Sequence, residues 1–131
     1  MGLRVMLIDD SEADRLYTGI VLERSGAAQQ VLAFESAREA LAALAAGDPP
    51  VDLILLDINM PGMDGFEFLD AYDILPMAPG HGERPAAVVM LTSSPDPQDQ
   101  RRAMAHASVR GYVTKPIDLD SARGLQDMLR A

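Results

Sequence analysis

The chain has 131 residues, a net charge of −9 and no cysteine, which suits one domain with a sizeable core and excludes disulfides, thiolate zinc sites and cysteine nucleophiles. The acidic balance, with no basic patch in view, argues against a nucleic-acid partner and favours a metal cation or a basic protein surface. No apolar run approaches the roughly 20 residues of a membrane span, and the N-terminus lacks a cationic region followed by an apolar core, so the chain reads as cytoplasmic with no membrane partner.

Leu3 to Ile8, apolar except for Arg4, is short enough for a first buried strand. Asp9, Asp10, Ser11 and Glu12 follow it. An acid or serine there can cap the next helix, and two adjacent carboxylates can equally hold a magnesium ion, which prefers hard oxygen ligands. Ala13, Leu16, Tyr17, Ile20 and Val21 recur at spacings of three and four, giving the apolar stripe of an amphipathic helix that ends near Gly26. Val31 to Phe34 is a weak second strand. Ser36 and Glu39 form a capping-box pair opening an alanine-rich helix through Ala46, which Gly47-Asp48-Pro49-Pro50 stops.

Val51 to Gly65, reading VDLILLDINMPGMDG, is the most informative stretch. Leu53-Ile54-Leu55-Leu56 is an uninterrupted apolar run, the pattern of a strand buried on both faces of a parallel sheet. Asp57 ends it, at the rim where open α/β folds bind ligands. Asn59, Pro61, Gly62, Asp64 and Gly65 make a polar, turn-forming loop. A helix from about Gly65 to Leu75 follows, then a long exposed connection from Pro76 to Pro85 that contains His81, read as a solvated loop residue.

Ala87 to Leu91 is another buried-strand run, ending in Thr92-Ser93-Ser94, whose hydroxyls can cap the next helix. Pro97 suits the first turn of that helix, which runs to about His106, with Ala103, Met104 and Ala107 as its inner face and His106 exposed. Arg101, Arg102 and Arg110 mark a partner face or a solvated one. Gly111-Tyr112-Val113 is a short last strand, and Pro116 restricts Lys115 to an extended conformation that can aim its ammonium over the rim. Asp118, Asp120 or Ser121 starts a final helix with Leu125, Met128 and Leu129 inside.

Five strands alternating with five helices predict a doubly wound α/β domain with right-handed crossovers and, in the order 2-1-3-4-5, a switch point between strands 1 and 3. All strand ends then share one edge, so four separate segments deliver Asp9-Asp10, Asp57, Thr92 and Lys115 to one place. Three crowded carboxylates repel by roughly 4 kcal/mol per pair at about 4 Å and an effective dielectric near 20, and a magnesium ion supplies the counter-charge. The chemistry that fits is phosphoryl transfer to a carboxylate, with Asp57 as nucleophile, Lys115 neutralising one phosphoryl oxygen and the Thr92 hydroxyl bonding another. There is no GxxxxGK[ST] cradle, so the donor brings its own binding energy or its own protein.

The Asp9-Asp10 pair, LLDINMPGMDG, the LTSS hydroxyl turn and GYVTKP resemble, over essentially the whole chain, the receiver domain of bacterial two-component response regulators, in the single-domain, chemotaxis-regulator-like form. The resemblance implies a flavodoxin-like five-stranded sheet. It implies phosphorylation of Asp57 by a sensor histidine kinase, and Asp9, Asp10, Asp57 and the backbone carbonyl of Asn59 around Mg2+. It further implies Lys115 as the phosphoryl contact, a switch in which Thr92 moves toward the phosphoryl group as Tyr112 turns inward, and a cis bond before Pro116. The output surface would be helix 4, strand 5 and helix 5, roughly Pro97 to Arg130, on a monomer or a phosphorylation-dependent dimer. Ser93 departs from the pattern, standing where many members carry Ala or Gly.

Residues 1–131 are then one receiver domain with no output domain, a signalling phosphoacceptor rather than a turnover enzyme, acting on a downstream protein target. An alternative within the same chemistry is a relay or phosphate sink that hands the group to a histidine phosphotransfer protein. A magnesium-dependent aspartyl-phosphate phosphohydrolase is the reading from another class; it wants a second acid two residues after the nucleophile, where Asn59 stands and cannot titrate.

Overall fold

The structure, a computed structural model, describes residues 2–47, 50–75, 86–93 and 96–130. The connection expected from Pro76 to Pro85, with His81, lies outside these residues. Strands β1 (Leu3–Ile8), β2 (Ala28–Phe34), β3 (Leu53–Asp57), β4 (Ala87–Thr92) and β5 (Val109–Thr114) form one sheet in the order β2-β1-β3-β4-β5, every pair parallel. Helices α1 (Glu12–Ser25), α2 (Ala37–Ala46), α3 (Gly65–Asp73) and α4 (Pro97–Met104) link them. The final helical stretch comes as two segments, α5 (Leu119–Arg123) and α6 (Leu125–Arg130), that meet at Gly124. This is the doubly wound fold expected.

Strand periodicity divides the core in two. Met6, Ile8, Ile54, Leu56, Val88 and Met90 face one way, against Ala40 and Leu44 of α2, Phe68 and Leu69 of α3 and Ala103 of α4. Their neighbours Val5, Leu7, Leu53, Leu55, Val89 and Leu91 face the other way, against Val21 and Leu22 of α1, Ala122 of α5 and Leu125 of α6. Both faces of β1, β3 and β4 are therefore covered, which is why these strands are apolar without a break. Among the described residues, no helix is long and apolar enough to cross a membrane.

Two strands are longer than their apolar signal. β2 begins at Ala28 rather than Val31, because the exposed Gln29 and Gln30 belong to an edge strand whose backbone pairs with β1 whatever the side chains are. β5 runs from Val109 to Thr114 rather than over Gly111 to Val113, and Val109 is buried.

Two helices present a different face from the one expected. In α1 the buried residues are Thr18, Val21 and Leu22, whereas Leu16, Tyr17 and Ile20 are 62%, 48% and 49% exposed. Ala13 is exposed as well. The packing side admits a small polar residue at its end because Ser25 donates its hydroxyl to the Leu22 carbonyl at 2.9 Å within the helix. In α4 only Ala103 is buried; Met104 and Ala107 are exposed, because the helix stops at Met104 before a second inner turn forms. His106 lies beyond that end and is half-buried rather than exposed: Nδ1 is 2.5 Å from Asp73 Oδ2 and the side chain is 17% exposed, tying the turn before β5 to α3. Leu125 is buried and Met128 and Leu129 pack on the core as expected.

Candidate functional site

Each polar residue expected at the carboxyl edge had a plain alternative as a helix cap or surface charge, and other residues take up those duties. Ser11 caps α1, accepting from the Asp14 N–H at 3.3 Å. Asp64 caps α3 in a reciprocal box with Glu67. Asp96, not Thr92, caps α4, and Asp118 caps α5. None of Asp10, Asp57 and Thr92 is the N-cap of one of these helices, and Asp9 Oδ1 accepts from Ser11 N–H at 2.9 Å.

The register brings these strand ends together. Ile8 pairs with Leu56, Asp57 pairs with Leu91, and Thr92 pairs with Thr114, one residue before Lys115. Carboxylate oxygens of Asp9, Asp10 and Asp57 lie within 4.8 Å of one another. Asp9 and Asp57 are buried and Asp10 is exposed. The Lys115 N–H donates to the Thr92 carbonyl at 2.7 Å, fixing the chain as it leaves the sheet. From there the ammonium Nζ reaches Asp9 Oδ2 at 2.7 Å, Asp14 Oδ2 at 2.9 Å and Asp57 Oδ2 at 3.6 Å. Lysine here is an interior counter-ion with 13% of its side chain exposed.

Asp9, Asp14 and Asp57 share the Lys115 ammonium, Asp10 stands beside them and the Arg15 guanidinium lies on the Asp9 carbonyl, so acids outnumber cations here among the described residues. Burial pushes the Asp57 carboxyl up to about 6, with Asp9 and Asp10 adding to it while Lys115 and the backbone N–H of Asn59 work against it. Burial of Lys115 acts to lower its pKa, but the contacts to Asp9 and Asp14 and the charge of Asp57 outweigh that and raise it. Asp9 Oδ2 is buried and, among the described residues, is held by the ion pair with Lys115 at 2.7 Å. A buried carboxylate whose partner at Oδ2 is an ammonium that can move, beside two more carboxylates, fits a hard divalent cation such as Mg2+.

The loop after Asp57 is shaped by two glycines. Gly62 has φ +77, in the left-handed region. Gly65 lies where a Cβ would stand 2.9 Å from the Asp57 carbonyl oxygen and 2.9 Å from the Ile58 Cα, and its N–H donates to the Ile58 carbonyl at 2.8 Å. Tyr112, half-buried on β5, lines a narrow cavity with Thr92, Met90, Ile58 and Ala103. The Lys115–Pro116 bond is cis, as the resemblance implies. Ser93 is exposed and lines an open cavity with Asp14, Thr18, Lys115 and Pro116.

Two residues of this site escaped the sequence reading. Asp14 holds Lys115, and Arg15 donates from Nη1 to the Asp9 carbonyl at 2.8 Å. Their charge inside the α1 pattern was the only signal, and charge on a helix is ordinarily solvated.

The chain is 31% identical over 116 residues to the sensory/regulatory protein RpfC of Xanthomonas campestris pv. campestris, an alignment covering 88% of this chain and 15% of that protein. It is 30% identical over 130 residues to the two-component response regulator ORR1 of Oryza sativa subsp. japonica, covering 95% of this chain and 54% of ORR1. The chain thus spans about half the length of one relative and a small part of the other. The crystal structure of a two component response regulator from Cytophaga hutchinsonii matches with a TM-score of 0.82 at 27% identity, over 99% of this chain and 98% of that one. A family model for the response regulator receiver domain matches residues 5–125, which take in β1 from Val5, the other four strands and the acidic edge; the chain belongs to that family.

Proposed function

We propose that this protein receives a phosphoryl group on Asp57 from a sensor histidine kinase in the cytoplasm, and that the acyl phosphate changes how it binds a downstream protein. The observation that carries the reading is the convergence, at one sheet edge, of a buried carboxylate on a strand end, two further carboxylates within 4.8 Å and a lysine ammonium at 3.6 Å. In the transfer, an Asp57 carboxylate oxygen attacks phosphorus. The phosphorus–nitrogen bond of the donor phosphohistidine breaks, and its electron pair stays on the imidazole. Lys115 neutralises one phosphoryl oxygen and the Thr92 hydroxyl bonds another. Asp9, Asp10, Asp57 and the backbone carbonyl of Asn59 would hold Mg2+, which when bound offsets the carboxylate repulsion and the charge on the phosphoryl oxygens.

The switch reading rests on the cavity between Thr92 and Tyr112. As Thr92 shifts toward the phosphoryl group, the ring of Tyr112 turns into that space, altering the face made by α4, β5 and α5. A second reading within the same chemistry is a relay that passes the group to a histidine phosphotransfer protein. Acetyl phosphate with magnesium tests the core assignment: the wild type gains one phosphoryl group by mass and Asp57→Asn does not. Labelling of Asp57→Asn at an undiminished rate would reject Asp57 as the acceptor.

A further inference from the structure

Lys115 is shared unequally. Its ammonium donates a hydrogen bond to Asp14 at 2.9 Å and ion-pairs with Asp9 at 2.7 Å, while Asp57, the residue it is meant to serve, stays at 3.6 Å. Asp14 comes from the first turn of α1, far from Lys115 in sequence, and its side chain is 46% exposed at the mouth of a cavity lined also by Thr18, Ser93 and Pro116. Asp14 is not needed as a cap, since Ser11 fills that role. Its carboxylate is therefore placed for the lysine.

We propose that Asp14 is a positioning residue for the phosphoryl chemistry: it holds Lys115 Nζ away from Asp57 in the unphosphorylated protein, so that an incoming phosphoryl group must win the ammonium from it. This rests on Asp57 being the acceptor. Asp14 stabilises the resting state and makes no contact with the group transferred, so its removal speeds phosphorylation. The pair is partly solvated, which limits the effect to on the order of fivefold.

The test times labelling by acetyl phosphate with magnesium, in which Asp57 displaces acetate from phosphorus, for wild type, Asp14→Asn and Asp14→Glu. Asp14→Asn should label about fivefold faster, and Asp14→Glu, which keeps the charge, should fall back toward the wild-type rate. A cycle with Lys115→Met separates action through the lysine from direct repulsion of the phosphoryl group. The Asp14→Asn gain should vanish in the Lys115→Met background; a gain that persists there undiminished, or no gain in the wild-type background, overturns the proposal. If Lys115→Met labels too slowly to time, the affinity for beryllofluoride with magnesium, read by fluorine NMR, replaces the rate in the same cycle. A wild type that does not label at all overturns instead the assignment of Asp57, so the two failures are distinct.

Discussion

Gly65 sits so close beneath Asp57 that a Cβ added to it would lie 2.9 Å from the Asp57 carbonyl oxygen. The first residue of α3 is thus pressed against the backbone of Asp57, the proposed acceptor, and the neighbouring atoms are main chain, which cannot swing aside. Gly65→Ala should destabilise the protein by about 1–3 kcal/mol, the usual range for forced overpacking. It should also slow Asp57 labelling, because relief of the clash moves Asp57. Gly19, whose added Cβ would meet nothing within 4 Å, is the control: Gly19→Ala should leave labelling unchanged. Urea melts and labelling time courses of the two variants check this.

Asp57 makes stability fall as pH rises through the weakly acidic range. Its folded pKa of about 6 lies above the ordinary 3.8, chiefly through burial. The native state therefore keeps this proton where the unfolded chain has lost it, and stability declines from about pH 4 until the group is ionised above about pH 6. The penalty for the ionised group is on the order of 3 kcal/mol. Other acids titrate in the same window, so the measurement is a difference: metal-free Asp57→Asn should be more stable than wild type at pH 7.5, and the gap should close by pH 4. A gap independent of pH would contradict the burial argument.

Magnesium should reverse that penalty. At about 100 times its Kd a ligand specific to the native state adds about 2.7 kcal/mol, so the wild-type Tm should rise at pH 7.5. The gain should fade below pH 6, where protons compete for Asp57. Asp10 is exposed, so Asp10→Asn should fold normally and lose most of the magnesium response. Differential scanning calorimetry with and without the ion reads both effects, and an unchanged wild-type Tm would count against the metal site.

Thr92→Ala should separate phosphorylation from signalling. Asp57, Lys115 and the acids remain, so the variant should still be labelled, while the coupling of roughly 1–3 kcal/mol between acceptor and output face should be lost. Amide resonances of β5 and α4 that shift on beryllofluoride binding in the wild type should stay near their resting positions in Thr92→Ala. The same should hold for Tyr112→Ala, which removes the ring proposed to turn inward. Full-sized shifts in both variants would remove these residues from the switch.

The sequence by itself determined the sheet and the strand-end residues of the acidic edge. Buried parallel strands must be apolar on both faces, so LILLD and AVVMLT declare themselves, and the residues that end such runs necessarily emerge on one side. Asp9, Asp10, Asp57, Thr92 and Lys115 could be placed together for that reason alone. Tertiary structure decided what periodicity cannot. A helix pattern shows that a stripe exists, yet in α1 the stripe carrying Thr18, Val21 and Leu22 packs inward and the one carrying Leu16, Tyr17 and Ile20 does not. The clasp of His106 on Asp73 and the hold of Asp14 on Lys115 join residues 33 and 101 positions apart. Such contacts depend on where two packed layers bring charged groups within about 3 Å, a distance that no local pattern of hydropathy encodes.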